Sequence, residues 1–261
     1  MTSFRIVKDE PAGGIDATLR RVAASNADGL TLRIESMPEP AAGWLAAAEL
    51  LGRDELMTAL FAQITGVRNR PADHVCAEWM VESWARAVAG LAGSALVCDR
   101  RLPDLRPENL LIAPYKGMVG ATALRTGAMT ALKGDGPAVD AGAAVVPAWI
   151  DLADQMHHGL KTLLEPMINW AGDRGLRPVR TLWQAAGDCL AQSLVWSGKA
   201  FTEAGFALEL TEYLMGLGGE MAVPVDRSVD GAGEPFHLRT TCCLAYRTPE
   251  GGLCRACPID R

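Results

Sequence analysis

Apolar side chains recur at helical spacing over most of the chain and at strand spacing only near its centre. From residue 41 to residue 64, and again after residue 73, large apolar residues repeat every three or four positions. The same period returns in three further segments, which start near residues 151, 178 and 207. These repeats predict a mainly helical protein in which each helix buries one face.

The centre of the chain, residues 97–150, has a different pattern. Short apolar runs such as 110–113 and 143–146 are separated by turns rich in glycine and proline, one of them at residues 134–137. Such runs are typical of strands joined by turns. A further strand-like run covers residues 30–34, and a turn is expected at residues 38–40. The expected fold class is therefore α+β, predominantly helical with a small central sheet.

Proline and glycine give sharper expectations about helix ends. Pro71-Ala72-Asp73 predicts a helix start with Asp73 as the N-cap residue. Pro166 lies inside a helical pattern, and the helix should kink or break there because proline has no backbone N–H to donate. Gly218-Gly219 should end the last helix.

Composition and charge exclude several classes of protein. The chain has 261 residues, of which 49% are hydrophobic and 21% charged, and its net charge is −6. This composition is typical of a globular protein with a large core, and the negative charge argues against a nucleic-acid partner. The amino terminus has no apolar signal core, and no apolar run reaches the about 18 residues that a membrane span needs. We therefore expect a cytoplasmic protein.

Four of the seven cysteines lie within the last twenty residues. Cys242 and Cys243 are adjacent, ten residues follow, and Cys254 and Cys257 form a Cys-x-x-Cys pair. In a reducing compartment such a cluster indicates metal binding or redox chemistry. A [2Fe-2S] cluster normally takes four cysteines, whereas a zinc site usually has two Cys-x-x-Cys pairs and only one is present here. A zinc site remains open as an alternative, and ring strain disfavours a disulfide between the adjacent pair.

The cysteine segment resembles a known family. Residues 239–246 read Arg-Thr-Thr-Cys-Cys-Leu-Ala-Tyr, and residues 251–258 read Gly-Gly-Leu-Cys-Arg-Ala-Cys-Pro. The cysteine positions and their spacing are similar to the carboxyl-terminal signature of the FhuF-like ferric-siderophore reductases. The resemblance implies a [2Fe-2S] cluster bound by Cys242, Cys243, Cys254 and Cys257. It also implies a siderophore-binding body over residues 1–234 and a cluster-binding iron–sulfur segment over residues 235–261.

The activity that the resemblance implies is reduction of a ferric siderophore. One electron would pass to Fe(III), and iron would be released as Fe(II) because the hard anionic oxygens of a siderophore prefer Fe(III). An iron–sulfur electron-transfer or iron-sensing protein without siderophore turnover remains open as the alternative. Neither activity requires an acid–base residue, so no catalytic side chain is predicted.

The predicted partners follow from this activity. The first is a ferric siderophore, with the hydroxamate type as one candidate. No nucleotide-binding motif is present, so electrons should arrive from an external donor such as a ferredoxin or a flavin reductase. We expect a monomer, and contact with the inner-membrane surface stays open.

Positive groups near an all-thiolate cluster should favour its reduced form, because reduction adds negative charge. The segment from residue 239 to residue 261 has four arginines and two carboxylates, a balance of +2. Arg239, Arg247 and Arg255 are candidates to tune the cluster, with simple surface solvation as the alternative. His237 is a candidate to take up a proton on reduction, with an ordinary, partly exposed imidazole as the alternative.

The remaining cysteines and histidines do not form a second motif. Cys76, Cys98 and Cys189 lie in apolar contexts and are predicted to be buried small hydrophobic residues. His74 is expected at a polar helix start. The adjacent pair at positions 157 and 158 points in two directions on a helix and is predicted to be structural or exposed.

Overall fold

Helices dominate the part of the chain that the structure describes. This computed structural model describes residues 14–25, 31–32, 43–66, 71–225, 229, 236–248, 251–254 and 256–259. Its helices are α1 (Ile15–Ser25), α2 (Ala47–Leu51), α3 (Asp54–Thr65), α4 (Asp73–Asp99), α5 (Gly136–Asp140), α6 (Trp149–Asp173), α7 (Val179–Ala200) and α8 (Ala204–Gly216). Its strands are β1 (Thr31–Leu32), β2 (Leu45–Ala46), β3 (Arg101–Pro103), β4 (Leu110–Tyr115), β5 (Met118–Leu124), β6 (Met129–Leu132) and β7 (Ala144–Val146). The predicted α+β class with helices predominant is confirmed.

The strands form two small sheets instead of the one expected. In the described residues one sheet has the order β1-β5-β4-β2 and the other β3-β6-β7. The hairpin between β4 and β5 turns at Lys116 and Gly117, which both have positive φ, as a two-residue hairpin of this kind requires. The strands predicted at 110–113 and 143–146 are confirmed as β4 and β7. Of the run at 30–34, β1 is the described part, and the turn expected at 38–40 lies outside the described residues.

Helix α4 is the central element of the fold and contacts α1, α3, α6 and α7 as well as β3 and β5. Its 27 residues are buried along nearly their whole length, and Met80, Trp84 and Leu91 are among its largest buried side chains. A helix that its neighbours cover on all sides needs no broad polar face. Among the described residues, no helix is both long and apolar enough to cross a membrane.

Two predictions about helix interiors and ends are wrong, and one is confirmed. Helix α4 begins at Asp73, so the N-cap residue is Ala72, and no side chain caps the helix there. Helix α6 runs unbroken through Pro166. Pro166 lies on the exposed face of α6, where water can solvate the carbonyl that loses its partner, while the opposite face is buried in the core. The glycine stop after α8 is confirmed, since Gly218 and Gly219 both have positive φ.

Helices α4 and α7 pack closely because small residues lie between them. A Cβ atom on Gly93 would come within 3.0 Å of a methyl group of Leu194, so glycine lets the two helices approach. One position further along, the hydroxyls of Ser94 and Ser197 are hydrogen-bonded at 2.8 Å. This pair of helices forms the base on which the cysteine segment lies.

A buried carboxylate on α4 faces the beginning of α7. The Glu78 side chain is completely buried, and its Oε2 accepts a hydrogen bond of 3.0 Å from Arg177 Nε. Its second oxygen, Oε1, has no hydrogen-bond partner among the described residues. Burial is the largest cause that raises the pKa of Glu78 to about 7, and the neighbouring Glu82 adds to it. The charges of Arg177 and Arg239 act in the opposite direction.

We expect Glu78→Gln to make stability less dependent on pH. The folded protein keeps a proton on Glu78 up to about pH 7, whereas an unfolded glutamate releases it near pH ~4.3. Between these values the folded state binds more protons than the unfolded state, so this group makes stability fall as the pH rises. Urea unfolding of both proteins from pH 4 to pH 8 should show the wild type losing at most roughly 3 kcal/mol relative to the variant. A constant difference over this range would contradict a raised pKa at Glu78.

Candidate metal centre

The cysteine segment has little regular structure, and backbone hydrogen bonds bring its two halves together. In the described residues its one regular element is a 3₁₀ turn at Ala245–Arg247. The amide of Arg239 donates to the carbonyl of Ala256 at 3.2 Å, so the chain before the first cysteine pair lies beside the second pair. The amide of Cys257 donates to the carbonyl of Cys254 at 3.0 Å and closes a tight turn between these two cysteines.

The four thiols share one electrostatic environment. Burial followed by the charge of Cys243 raises the pKa of Cys254 to about 12. Burial also raises the pKa of Cys242, and the charges of Cys243 and Cys257 add to the rise. Cys257 is buried, while the other three are partly exposed. The thiols of Cys242, Cys243, Cys254 and Cys257 are therefore near enough to interact electrostatically.

The donor set suits an iron–sulfur cluster. It consists of soft sulfur atoms, which are the ligands that clusters of this type take. Among the described residues, no group of three or more His, Cys, Asp or Glu side chains is arranged to hold a metal ion. The fit therefore depends on the chemistry of four neighbouring thiols and on the backbone that gathers them.

Two backbone features that sequence reasoning missed shape the loop between the cysteine pairs. Leu244 has a left-handed conformation with φ of 60°, and its amide donates to the sulfur of Cys242 at 3.4 Å. Such a conformation is costly for leucine, and burial of its side chain offsets the cost. Gly251 lies so close to the carbonyl of Ala245 that a Cβ atom would come within 1.6 Å of its oxygen. The adjacent glycines at 251 and 252 were the available sequence signal for this tight contact.

Helix α4 holds the first cysteine pair through a tryptophan. The indole Nε1 of Trp79 donates to the carbonyl of Cys243 at 2.9 Å. The ring itself is nearly buried. An indole that is buried usually finds a partner for its N–H, and here that partner is the backbone of a candidate ligand. The contact with Cys243 is a role that the apolar pattern does not reveal.

Helix α7 holds the residues just before the cysteines through Asp188. Its carboxylate is completely buried and accepts hydrogen bonds from the amides of Thr240, at 2.9 Å, and Thr241, at 2.7 Å. It also accepts from the Thr241 hydroxyl at 2.7 Å and from His237 Nε2 at 3.0 Å. Burial alone would raise the pKa of Asp188, but the hydrogen bonds from His237, Thr240 and Thr241 outweigh it and lower the pKa. Asp188 is therefore a buried anion, and sequence reasoning missed it.

Arg239 is buried and not solvated at the surface, so for this residue the surface alternative is wrong. Its guanidinium pairs with Glu82 on α4, lies 3.4 Å from the Thr241 hydroxyl and 3.9 Å from Asp188. Burial works against the charged form, yet Glu82 outweighs burial and raises the pKa of Arg239. Its positive charge also lowers the pKa of Cys242, although the net shift of that thiol is upward. Arg239 therefore interacts electrostatically with the thiol of Cys242, and its tuning of a cluster stays a prediction.

The other candidate tuning residues have different surroundings. His237 is only 2% exposed and bonded to Asp188, so the expectation of a partly exposed imidazole is wrong. Arg247 is exposed, and its guanidinium contacts the Tyr246 hydroxyl and, at 3.4 Å, the imidazole of His74. The charge of Cys242 contributes to the raised pKa of Arg247, although the hydrogen bond to Tyr246 is the largest cause. Arg255 lies outside the described residues.

The remaining three cysteines lie on helices α4 and α7 and not in the cysteine segment. Cys76 and Cys189 are buried, which confirms their prediction as core residues, and Cys98 is only partly buried at the end of α4. The histidines at 157 and 158 lie on α6 as predicted, one partly and one fully exposed.

Comparison with known proteins agrees with this centre. Residues 239–258 match the family described as the FhuF 2Fe-2S C-terminal domain. The matched residues include all four clustered cysteines and exclude the other three. No curated protein matches the chain. Residues 239–258 are therefore similar to the FhuF 2Fe-2S C-terminal domain, and this match indicates a [2Fe-2S] cluster as the cofactor.

Proposed function

We propose that this protein is a ferric-siderophore reductase whose cluster ligands are Cys242, Cys243, Cys254 and Cys257. The family match over residues 239–258 supports the iron–sulfur part of this proposal. The observation that carries it is that the matched segment contains all four clustered cysteines, whose thiols interact electrostatically. When bound, the cluster supplies one electron to an acceptor. Siderophore-bound Fe(III) would accept it and become Fe(II), a poorer match to hard anionic oxygens.

The surroundings of the thiols support electron exchange at the protein surface. Cys242, Cys243 and Cys254 are all partly exposed. Large apolar side chains near them in the sequence are exposed as well, with Tyr246 at 40% and Leu253 at 51%. These two side chains give the exposed surface of the cysteine segment an apolar component that an organic ligand can contact. In the proposed function this surface receives the organic part of a ferric chelate or of an electron donor.

The charges of the chain are suited to an anionic cluster. Four thiols lose their protons when they bind metal, and the negative charge of the resulting thiolates needs compensation. Arg239 supplies a buried positive charge and Arg247 an exposed one, and each interacts electrostatically with Cys242. Positive charge next to the cluster eases the uptake of an electron. Arg255 is kept as a third candidate from its place in the sequence.

Several finer parts of the proposal stay predictions. They are the hydroxamate type of siderophore, an external ferredoxin or flavin reductase as donor, the monomeric state and the cytoplasmic location. The division into a siderophore-binding body, 1–234, and a cluster-binding segment, 235–261, has the same standing. No acid–base residue is assigned, because transfer of one electron between metal centres forms and breaks no bond to a side chain.

Replacing Cys254 by serine tests the ligand set. We expect Cys254→Ser to lower the cluster content about tenfold or more, because a hydroxyl is a poor substitute for a thiolate on iron. Visible absorption and the ratio of iron to acid-labile sulfide, measured on protein purified without air, report the content. Cys98→Ser is the matched control and should keep the full cluster, since Cys98 is a partly buried thiol outside the matched segment. A normal cluster in the Cys254 variant would remove it from the ligand set.

A single-turnover experiment tests the reaction. Protein reduced by dithionite, freed of excess reductant, is mixed without air with a ferric hydroxamate and a ferrous trap. We expect the cluster absorption to return to the oxidised form while one Fe(II) is trapped per cluster, because the cluster gives one electron at a time. Cluster-free protein should trap no Fe(II). If the cluster reduces cleanly but stays reduced in the presence of the chelate, an electron-transfer or iron-sensing role replaces the proposal.

Replacing Arg247 tests electrostatic tuning. We expect Arg247→Gln to lower the reduction potential of the cluster, because removal of a nearby positive charge disfavours an added electron. The shift should shrink at high salt, since Arg247 is exposed. Potentiometric titration followed by visible absorption measures it. Arg106→Gln changes an arginine that is 77% exposed beside Asp104 and should leave the potential unchanged. Equal shifts in the two variants would show a non-specific effect of net charge.

A further inference from the structure

One buried carboxylate joins the cysteine segment to α7. The two oxygens of Asp188 lie among donors from three residues of the segment: His237, Thr240 and Thr241. Oδ2 accepts from the Thr241 amide and hydroxyl, both at 2.7 Å, and Oδ1 accepts from the Thr240 amide at 2.9 Å. These donors lie 49 to 53 positions away in the sequence, so the contact is made only in the folded protein.

The part of α7 that presents Asp188 is itself held firmly. Its neighbour Gly187 packs so tightly that a Cβ atom would come within 2.0 Å of the carbonyl oxygen of Met221. Its other neighbour, Cys189, donates to the backbone carbonyl of Glu82 at 3.7 Å. Asp188 is thus fixed from both sides, by the chain after α8 and by α4.

The chemistry of the site requires both oxygens to be acceptors. Among the described residues, the groups that hydrogen-bond to the carboxylate are N–H and O–H donors, and Nε of Arg239 lies 3.9 Å from Oδ2. An asparagine of the same shape would replace one acceptor by an NH₂ group, which can only donate. At Oδ2 that NH₂ would face the amide of Thr241 and leave it unpaired. At Oδ1 it would face the amide of Thr240, which could then donate only to Oδ2 at 3.0 Å, so the isosteric change removes hydrogen bonds in either orientation.

We propose that Asp188 is a positioning residue for the cluster. It fixes the backbone of Thr240 and Thr241, and Thr241 is bonded directly to Cys242, so the first cysteine pair is oriented before metal arrives. This role rests on the ligand set given in the proposed function and is independent of siderophore turnover. Groups that orient metal ligands without touching the metal have measurable effects on metal retention.

The test uses the full-length, cluster-loaded protein and the variant Asp188→Asn. We expect its cluster to be lost to an iron chelator about tenfold faster or more than in the wild type, followed by visible absorption. Amide hydrogen exchange in residues 237–241 should accelerate, because the amides of Thr240 and Thr241 lose the acceptor that protects them. The low-temperature spin resonance spectrum of the reduced cluster should change shape, since the ligands are oriented differently.

Asp135→Asn is the matched control. Asp135 receives two hydrogen bonds from Arg101, at 2.7 and 3.0 Å, and one from the amide of Ala138, and none of its partners belongs to the cysteine segment. This variant should lose thermal stability while keeping the wild-type rate of cluster loss and the wild-type spectrum. Faster cluster loss in both variants to the same extent would reduce Asp188 to a general stabilising residue and overturn the proposal.

A milder variant covers the case in which Asp188→Asn does not fold. Thr241→Val removes the hydroxyl that donates to Asp188 at 2.7 Å and accepts from Arg239 at 3.4 Å, and it keeps the amide donor and the side-chain shape. We expect a smaller acceleration of cluster loss and of exchange in residues 237–241, and wild-type values for both would overturn the proposal. If Cys254→Ser retains its cluster while Asp188→Asn still accelerates exchange, the ligand set fails and the anchoring contact stands.

Discussion

The cysteine segment is held in place by a negative charge buried in the protein interior. Removing a carboxylate from water costs several kcal/mol unless hydrogen bonds and an opposite charge replace the solvent. Asp188 meets this condition only when residues 237–241 lie against α7, because those residues supply its donors. The packing of the cysteine segment against α7 and the burial of the Asp188 charge therefore stabilise each other, and neither would be favourable without the other.

Polar anchors suit this segment because it has few apolar side chains to bury. Leu244 and Ala256 are its buried apolar residues besides Cys257 in the described range. The cysteine segment is otherwise held by directional contacts. These are the hydrogen bond from Trp79 to the carbonyl of Cys243, the ion pair of Glu82 with Arg239, and the hydrogen bonds of Asp188 with three residues. Directional contacts fix orientation better than apolar burial does, which suits a loop that must present four sulfur atoms in defined directions.

The sequence alone predicts the helices, which depend on a local apolar pattern, and it identifies one motif, the four clustered cysteines. The spacing of Cys242, Cys243, Cys254 and Cys257 identifies the centre because the ligands of a cluster are close in the chain. Helical periodicity identifies α4, α6 and α7, since each buries large apolar residues at regular intervals. Pro166 was misjudged because its consequence depends on which face of α6 meets water, and a sequence pattern does not give that.

The anchors were missed for a different physical reason. Asp188 is a single acidic residue within an apolar helix, and its role arises from donors about fifty positions away. Helix α1 escaped notice as well, because its buried residues, among them Ile15, Leu19 and Val22, lie within a stretch of mixed composition. His237 was expected to be partly exposed, and only the fold shows that it faces Asp188.

The contact between Trp79 and Cys243 spans 164 positions along the chain. Closing so large a loop costs entropy, and one hydrogen bond does not offset that cost unless much of the chain is already ordered. We therefore expect this contact to form late in folding. Helices α4 and α7, which pack on each other over most of their length, provide that order first. Iron and sulfide would then be inserted after the surroundings of the cysteines have folded. A protein that has lost its cofactor by oxidation would stay folded and could take up a new cluster.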